Sequence, residues 1–212
     1  MARASRLAAA GVRIADVASA AGRGPQHIPS AAERPGPFPL RPRRSDPAVG
    51  GAMENFDGNA GAKDNRQLEA RADVLTYTSE ALSADLDAIG PVSASIVIRS
   101  SLPHTDLCAR LCDVAPDGRS TNLCDGVRRL RPDNAVSNAD GTRTGELDLG
   151  GVAHRFRTGH RIRLQVSSGA HPRLHRNTGT GEPLATATRL AAADQEIFHD
   201  AKRVSVLRLP CA

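Results

Sequence analysis

The residues of this 212-residue sequence with the chemistry for nucleophilic attack, proton transfer or metal binding are its seven histidines, its four cysteines and a handful of serines and acids. His154 and His160 flank Arg155-Phe156-Arg157-Thr158-Gly159, a hairpin-like turn across which they could face each other. A metal or triad site would need a cysteine or carboxylate at ligand spacing beside them, and none stands there, so the pair is expected to cap a turn. His171 and His175 are spaced i,i+4, but Pro172 opposes a helix and makes them a loop pair. His27 lies in a proline-rich stretch and His104 at a strand start, each without a visible partner.

The serines face a stricter test. Ser120, Ser167 and Ser168 lie in strand-like patterns, and no G-x-S-x-G elbow occurs anywhere in the chain. Acyl transfer needs nucleophile, base and oxyanion donors acting together, so no catalytic residue is expected. Asp133, Asn134, Asn138, Asp140 and Gly141 supply calcium-like oxygens, but no bidentate Glu closes the loop, and an ordinary turn is expected. Cys108 and Cys112 share a face of one strand. Cys124, on the returning strand, opposes Leu111 or Cys112 depending on loop length, and only one of these registers puts all three thiols on one side. Cys211 stands apart, and no C-x-x-C pair occurs. Buried, reduced thiols are expected, with no metal and no cofactor.

These side chains must be positioned by strands. From residue 73 onward short β-rich runs alternate with turn signals: 74–79, 92–101, 107–114, 120–130, 143–150, 154–168 and 204–209. Val92, Ala94, Ile96 and Ile98 share one parity, as do Ile162, Leu164 and Val166. These are read as inward, with Arg161, Arg163 and Gln165 outward. Ala115-Pro116-Asp117-Gly118 is a hairpin signal. The fold class that follows is an all-β sandwich over residues 73–210. Residues 1–50 read as an arm rich in Arg, Pro, Gly and Ala, weakly helical over 3–21 and disordered from 22 to 47, and residues 51–72 as a linker packing onto the sandwich.

Composition narrows the function further. Eight arginines against three acids make residues 1–50 basic, which leaves twenty basic and twenty acidic residues in the rest. The foldable part is neutral and offers no stripe for a phosphate backbone, so no nucleic acid is expected as partner. With no Trp, one Tyr and four Phe, stacking platforms are scarce. No stretch reaches the roughly 18 apolar residues of a membrane span. Arg13 and Asp16 interrupt what would be the apolar part of an export signal, and a cytoplasmic location is expected.

Three blocks then carry a resemblance: ARADVLTYTSEALSADLDAIGPV (70–92), TDLCARLCDVAPDGRSTNLCDG (105–126) and AHRFRTGHRIRLQVSSGAHPR (153–173), followed by RNTGTGE (176–182). In this order they resemble the C-terminal, galactose-binding-like jelly roll of the X-Pro dipeptidyl-peptidase and cocaine-esterase-like serine hydrolases, over residues 46 to 210 and weakly from DPAVGGA (46–52). The resemblance implies a domain that packs on an α/β-hydrolase domain and a helical cap. Here that domain is expected on a missing or separate chain, residues 1–44 resemble no part of the family, and a truncated gene is the expected origin. A lone jelly roll is expected to self-associate through the surface left bare. The rival expectation is a free-standing β-sandwich binding module.

Overall fold

Alternation of apolar and polar residues builds this protein, because a strand places successive side chains on opposite faces. The computed structural model describes residues 10–13, 36–40, 47–52 and 58–211. Its elements are β1 (Ala10–Arg13), β2 (Gly36–Leu40), α1 (Arg66–Glu69), β3 (Leu75–Thr78), β4 (Leu86–Ser100), β5 (Thr105–Val114), β6 (Ser120–Leu130), β7 (Val136–Ser137), β8 (Arg143–Phe156), β9 (Arg161–Ser167), β10 (Ala193–Phe198) and β11 (Val206–Leu209). They form two antiparallel sheets packed as a sandwich. The first runs β1-β11-β4-β10-β2 with β8 joined to β4 and β7 to β8, and the second runs β3-β9-β5-β6.

β4 organises the first sheet. One of its edges carries β8, from Leu86 opposite Phe156 to Ile98 opposite Arg143. Its other edge carries β11 opposite residues 93–95 and β10 opposite residues 97–100, in tandem. The inward residues of both sheets meet in one core, where Ile96, Ile98, Leu164 and Val166 have no exposed surface. The expected hairpin joins β5 to β6, with Ala115 N–H donating to Arg119 O at 2.9 Å and Gly118 at φ 83°, a region that favours glycine.

Four expectations need correction. The runs 143–150 and 154–156 are one strand, β8. The pairing slips between Val92 and Ser93, which leaves Leu149 as an extra residue, so inward parity changes from Gly145, Leu147 and Leu149 to Phe156 and the alternation breaks. β10 was not expected because a polar residue, Gln195, occupies an inward position and is 1% exposed. Ala10–Arg13, read as weakly helical, is extended because it pairs with the open edge of β11. Gly36–Leu40, read as disordered, pairs with β10. Proline at alternate positions, 37 and 39, removes the donors along one side, so this strand can only lie at a sheet edge, where it is found. The remainder of the arm lies outside the described residues.

The two sheets come closest where β6 meets β8. A Cβ added at Gly126 would lie 1.9 Å from the Asp148 carbonyl oxygen, so backbone touches backbone there. Gly126→Ala is expected to destabilise the domain by about 3 kcal/mol, the upper end of overpacking costs. Urea unfolding measures this, and stability equal to the parent would show that the two strands do not meet at Gly126.

Candidate functional site

Chemistry-bearing side chains concentrate on the outer face of the second sheet. Cys108, Arg110 and Cys112 alternate on β5 with the core residues Leu107, Ala109 and Leu111, and they lie opposite Ser167, Gln165 and Arg163 of β9. Such a face is ordinarily wet, and Gln165 was expected to point to water. Instead Gln165 is buried, because α1 and the residues before it lie across the sheet. The Glu69 carboxylate of α1 accepts from Ser120 Oγ at 2.5 Å, Gln165 Nε2 at 2.7 Å and Arg163 Nη1 at 2.5 Å. Its side chain is only 7% exposed, so the charge is held away from water and matched by one guanidinium and two neutral donors.

A second centre lies beside it. Arg110 donates through Nη2 to Asp125 Oδ2 at 2.8 Å and through Nη1 to Val49 O and Asn65 Oδ1, both at 2.6 Å. Arg173 Nη1 reaches both oxygens of the same carboxylate at 2.6 Å. Asn122 ties the cover down further, accepting from Lys63 N–H at 2.7 Å and donating to Gly61 O at 3.1 Å. A small cleft runs along this seam, lined by Leu68, Cys108, Val127 and Leu174 together with Arg110 and Arg173. The polar groups in the seam bind one another, and the arrangement works as a charged joint between sheet and cover.

The histidines behave differently from expectation. His154 and His160 do come together, but through a carboxylate 41 and 47 residues away in sequence. His154 Nε2 donates to Asp113 Oδ2 at 2.9 Å and His160 Nδ1 to Asp113 Oδ1 at 2.8 Å. Asp113 is on β5 and His154 on β8, so the cluster clasps the two sheets at one end of the core, with the His154 ring edge-on to Phe156 at 4.8 Å. Burial pushes the Asp113 carboxyl up, but the hydrogen bonds and charges of the two imidazoles together outweigh it and hold the group below the usual aspartate range. No local signal marked Asp113, since only sheet pairing brings it beside the turn. His171 and His175 lie in a loop, their carbonyls accepting from Ala48 N–H and Arg129.

The remaining candidates are structural. The Ser120 hydroxyl is spent on Glu69, and Ser167 Oγ donates to Gly169 O at 3.1 Å. Asp140 closes its own turn by accepting from Thr142 N–H and Oγ, and Asn138 bonds Thr142, so these oxygens serve the turn. Cys124 pairs with Leu111 and faces the core, while a slip between Leu111 and Cys112 puts Cys112 opposite Asn122 on the outer face. The three thiols are therefore split between two faces. Burial pushes the Cys112 and Cys124 thiols up to about 12.

Glu69→Ala would leave the half-buried Arg163 without its carboxylate and the Ser120 and Gln165 donors without their acceptor, and a loss of about 1–3 kcal/mol is expected in urea unfolding, with trypsin then cutting at Arg66 or Arg71 in the released cover. Asp113 has a depressed folded pKa, so its contribution is present above the ordinary carboxylate range and disappears as pH falls through the folded value. Asp113→Asn is accordingly expected to cost about 1–3 kcal/mol at pH 7 and to match the parent once both are acid-titrated, as followed by thermal melts across pH. Iodoacetamide at pH 8 is expected to modify Cys108 and Cys211 in the native chain and to reach Cys112 and Cys124 only after denaturation, which mass spectrometry of tryptic peptides would resolve.

Comparison with known proteins agrees with this architecture. Residues 3–208 match the X-Pro dipeptidyl-peptidase C-terminal non-catalytic domain, which extends the likeness well into the arm that was read as unrelated. A cocaine esterase from Rhodococcus sp. (strain MB1 Bresler) is 38% identical over 144 residues, which is 66% of this chain and 25% of that protein. An aminopeptidase structure from a marine sediment Thaumarchaeota archaeon superposes with a TM-score of 0.76 at 21% identity, over 95% of this chain and 36% of that one. An α-amino acid ester hydrolase structure superposes at 0.75 and 22% identity, over 86% of this chain and 33% of that one. The chain thus spans a quarter to about a third of the length of these relatives. A sandwich sealed by its own charged cover, matched almost end to end, belongs to the family of X-Pro dipeptidyl-peptidase C-terminal non-catalytic domains.

Proposed function

We propose that this chain is the structural partner of a catalytic α/β-hydrolase domain of the X-Pro dipeptidyl-peptidase and cocaine-esterase type, acting on peptide or ester substrates through a serine that this chain does not supply. The observation that carries the reading is the disposition of its candidate nucleophiles. Ser120 is wholly buried against Glu69, Ser167 bonds a backbone carbonyl, and the two histidines that meet a carboxylate do so in the Asp113 clasp. A base needs a nucleophile within hydrogen-bond reach. The domain's contribution is therefore shape and support at the rim of another domain's site. Its four cysteines, none of them in a disulfide, suit a reducing cytoplasm.

The purified chain is expected to hydrolyse neither an activated acyl ester nor an Xaa-Pro anilide above the buffer rate, measured by release of the chromophore. Turnover that disappears in Ser120→Ala, Ser167→Ala or Ser168→Ala would overturn this reading.

A further inference from the structure

Strand β2 ends the first sheet with prolines at alternate positions, and the hydrogen bonds around β10 fix which way those prolines face. Asp194 bonds on the β4 side. Its carbonyl accepts from the N–H of Ser101, the residue after β4, at 2.9 Å, and its own N–H donates to Ser101 Oγ at 3.0 Å. Successive residues of a strand send their N–H and C=O to opposite sides, so Ala193, Gln195 and Ile197 send theirs to the other edge, toward β2. The register sets Leu40, Phe38 and Gly36 opposite these residues. The amides of 36, 38 and 40 therefore serve β10. Pro37 and Pro39, opposite Glu196 and Asp194, turn their nitrogens and carbonyls away from the sheet.

The outer edge of β2 consequently presents carbonyls at 37 and 39 with no N–H beside them, so an antiparallel strand laid against it finds acceptors and no donors. A second copy of the chain brings the same defect. Pairing β2 with β2 about Phe38 sets Pro37 opposite Pro39 twice, and each such pair would otherwise exchange two N–H···O bonds, so all four are lost. Without β2, by contrast, β10 would show the donors and acceptors of Ala193, Gln195 and Ile197 along an open edge, a template for an added strand. The other sheet ends among the described residues are short or covered. β1 and β3 have four residues each and β7 has two. β6 is bridged by Asp64 at Thr121, and its Arg129 carbonyl accepts from Asn134 Nδ2.

We propose that residues 36–40 are an edge guard, a strand supplied by the chain itself that occupies the β10 edge and, through Pro37 and Pro39, excludes a second copy of the chain from that edge. Pro37→Thr/Pro39→Thr tests this in the 212-residue chain, because it returns the missing donors on the outward side and leaves every bond to β10 in place. The double variant is expected to melt as the parent does, to dimerise at least about tenfold more tightly in sedimentation equilibrium, and to protect its amides at 37 and 39 from hydrogen exchange. Either single replacement restores half of the bonds and is expected to fall between. Equal association of parent and double variant, or a dimer whose amides at 37 and 39 exchange freely, overturns the guard. A double variant that loses stability would mean that the prolines face β10, and overturns it as well.

Discussion

A carboxylate buried beneath a four-residue helix is the interaction on which the rest of this structure depends. Glu69 gathers Ser120 from β6 with Arg163 and Gln165 from β9, and thereby turns the polar face of a sheet into an interior. Charges in such a place are tolerable only as a complete set, because removing any partner leaves another desolvated and unpaired. Arg110, Asp125 and Arg173 repeat the device one step along the same face, where Arg110 also anchors the backbone at Val49. Between them these two centres decide where the stretch before β3 must lie, and so convert a two-layer sandwich into one with a third, covering layer.

That cover changes the meaning of the polar residues. On an open sheet Arg163, Gln165, Ser120 and Asn122 would be candidates for recognising a ligand. Beneath the cover their hydrogen bonds go to the protein itself, and the cleft along the seam is bounded by groups already bonded to one another. The apolar core on the other side of the sheet needs no such help, being filled by Ile96, Ile98, Leu111, Leu164 and their neighbours. The domain is therefore polar and apolar in alternate layers.

The Asp113 clasp shows the same economy at the end of the sandwich. An aspartate at an inward position would be costly alone, and two imidazoles from the β8 to β9 turn region make it tolerable while tying one sheet to the other. Proton-transfer chemistry would need a fourth group that presents a substrate atom. What the three side chains accomplish together is the joining of β5 to β8, which are distant in sequence and belong to different sheets.

Much of the fold was legible from the sequence alone. Alternation in residues 92–98 and 162–166 named the inward residues, because burial on one face of a strand imposes a period of two. The Pro-Asp-Gly turn marked its hairpin because few residues accept those dihedrals. The absence of a nucleophile elbow spoke for a non-catalytic role, and the three blocks spoke for the family. Other features only the tertiary structure decided. Whether Gln165 faces water or Glu69 depends on a cover that approaches from a hundred residues earlier in the chain. The slip beside Cys112 depends on a bulge that no composition announces, and it put Cys124 in the core. The pairing of Asp113 with His154 and His160 exists because sheet registers bring them together. Local sequence carries propensity and periodicity, while the partners of buried polar groups are set by long-range packing.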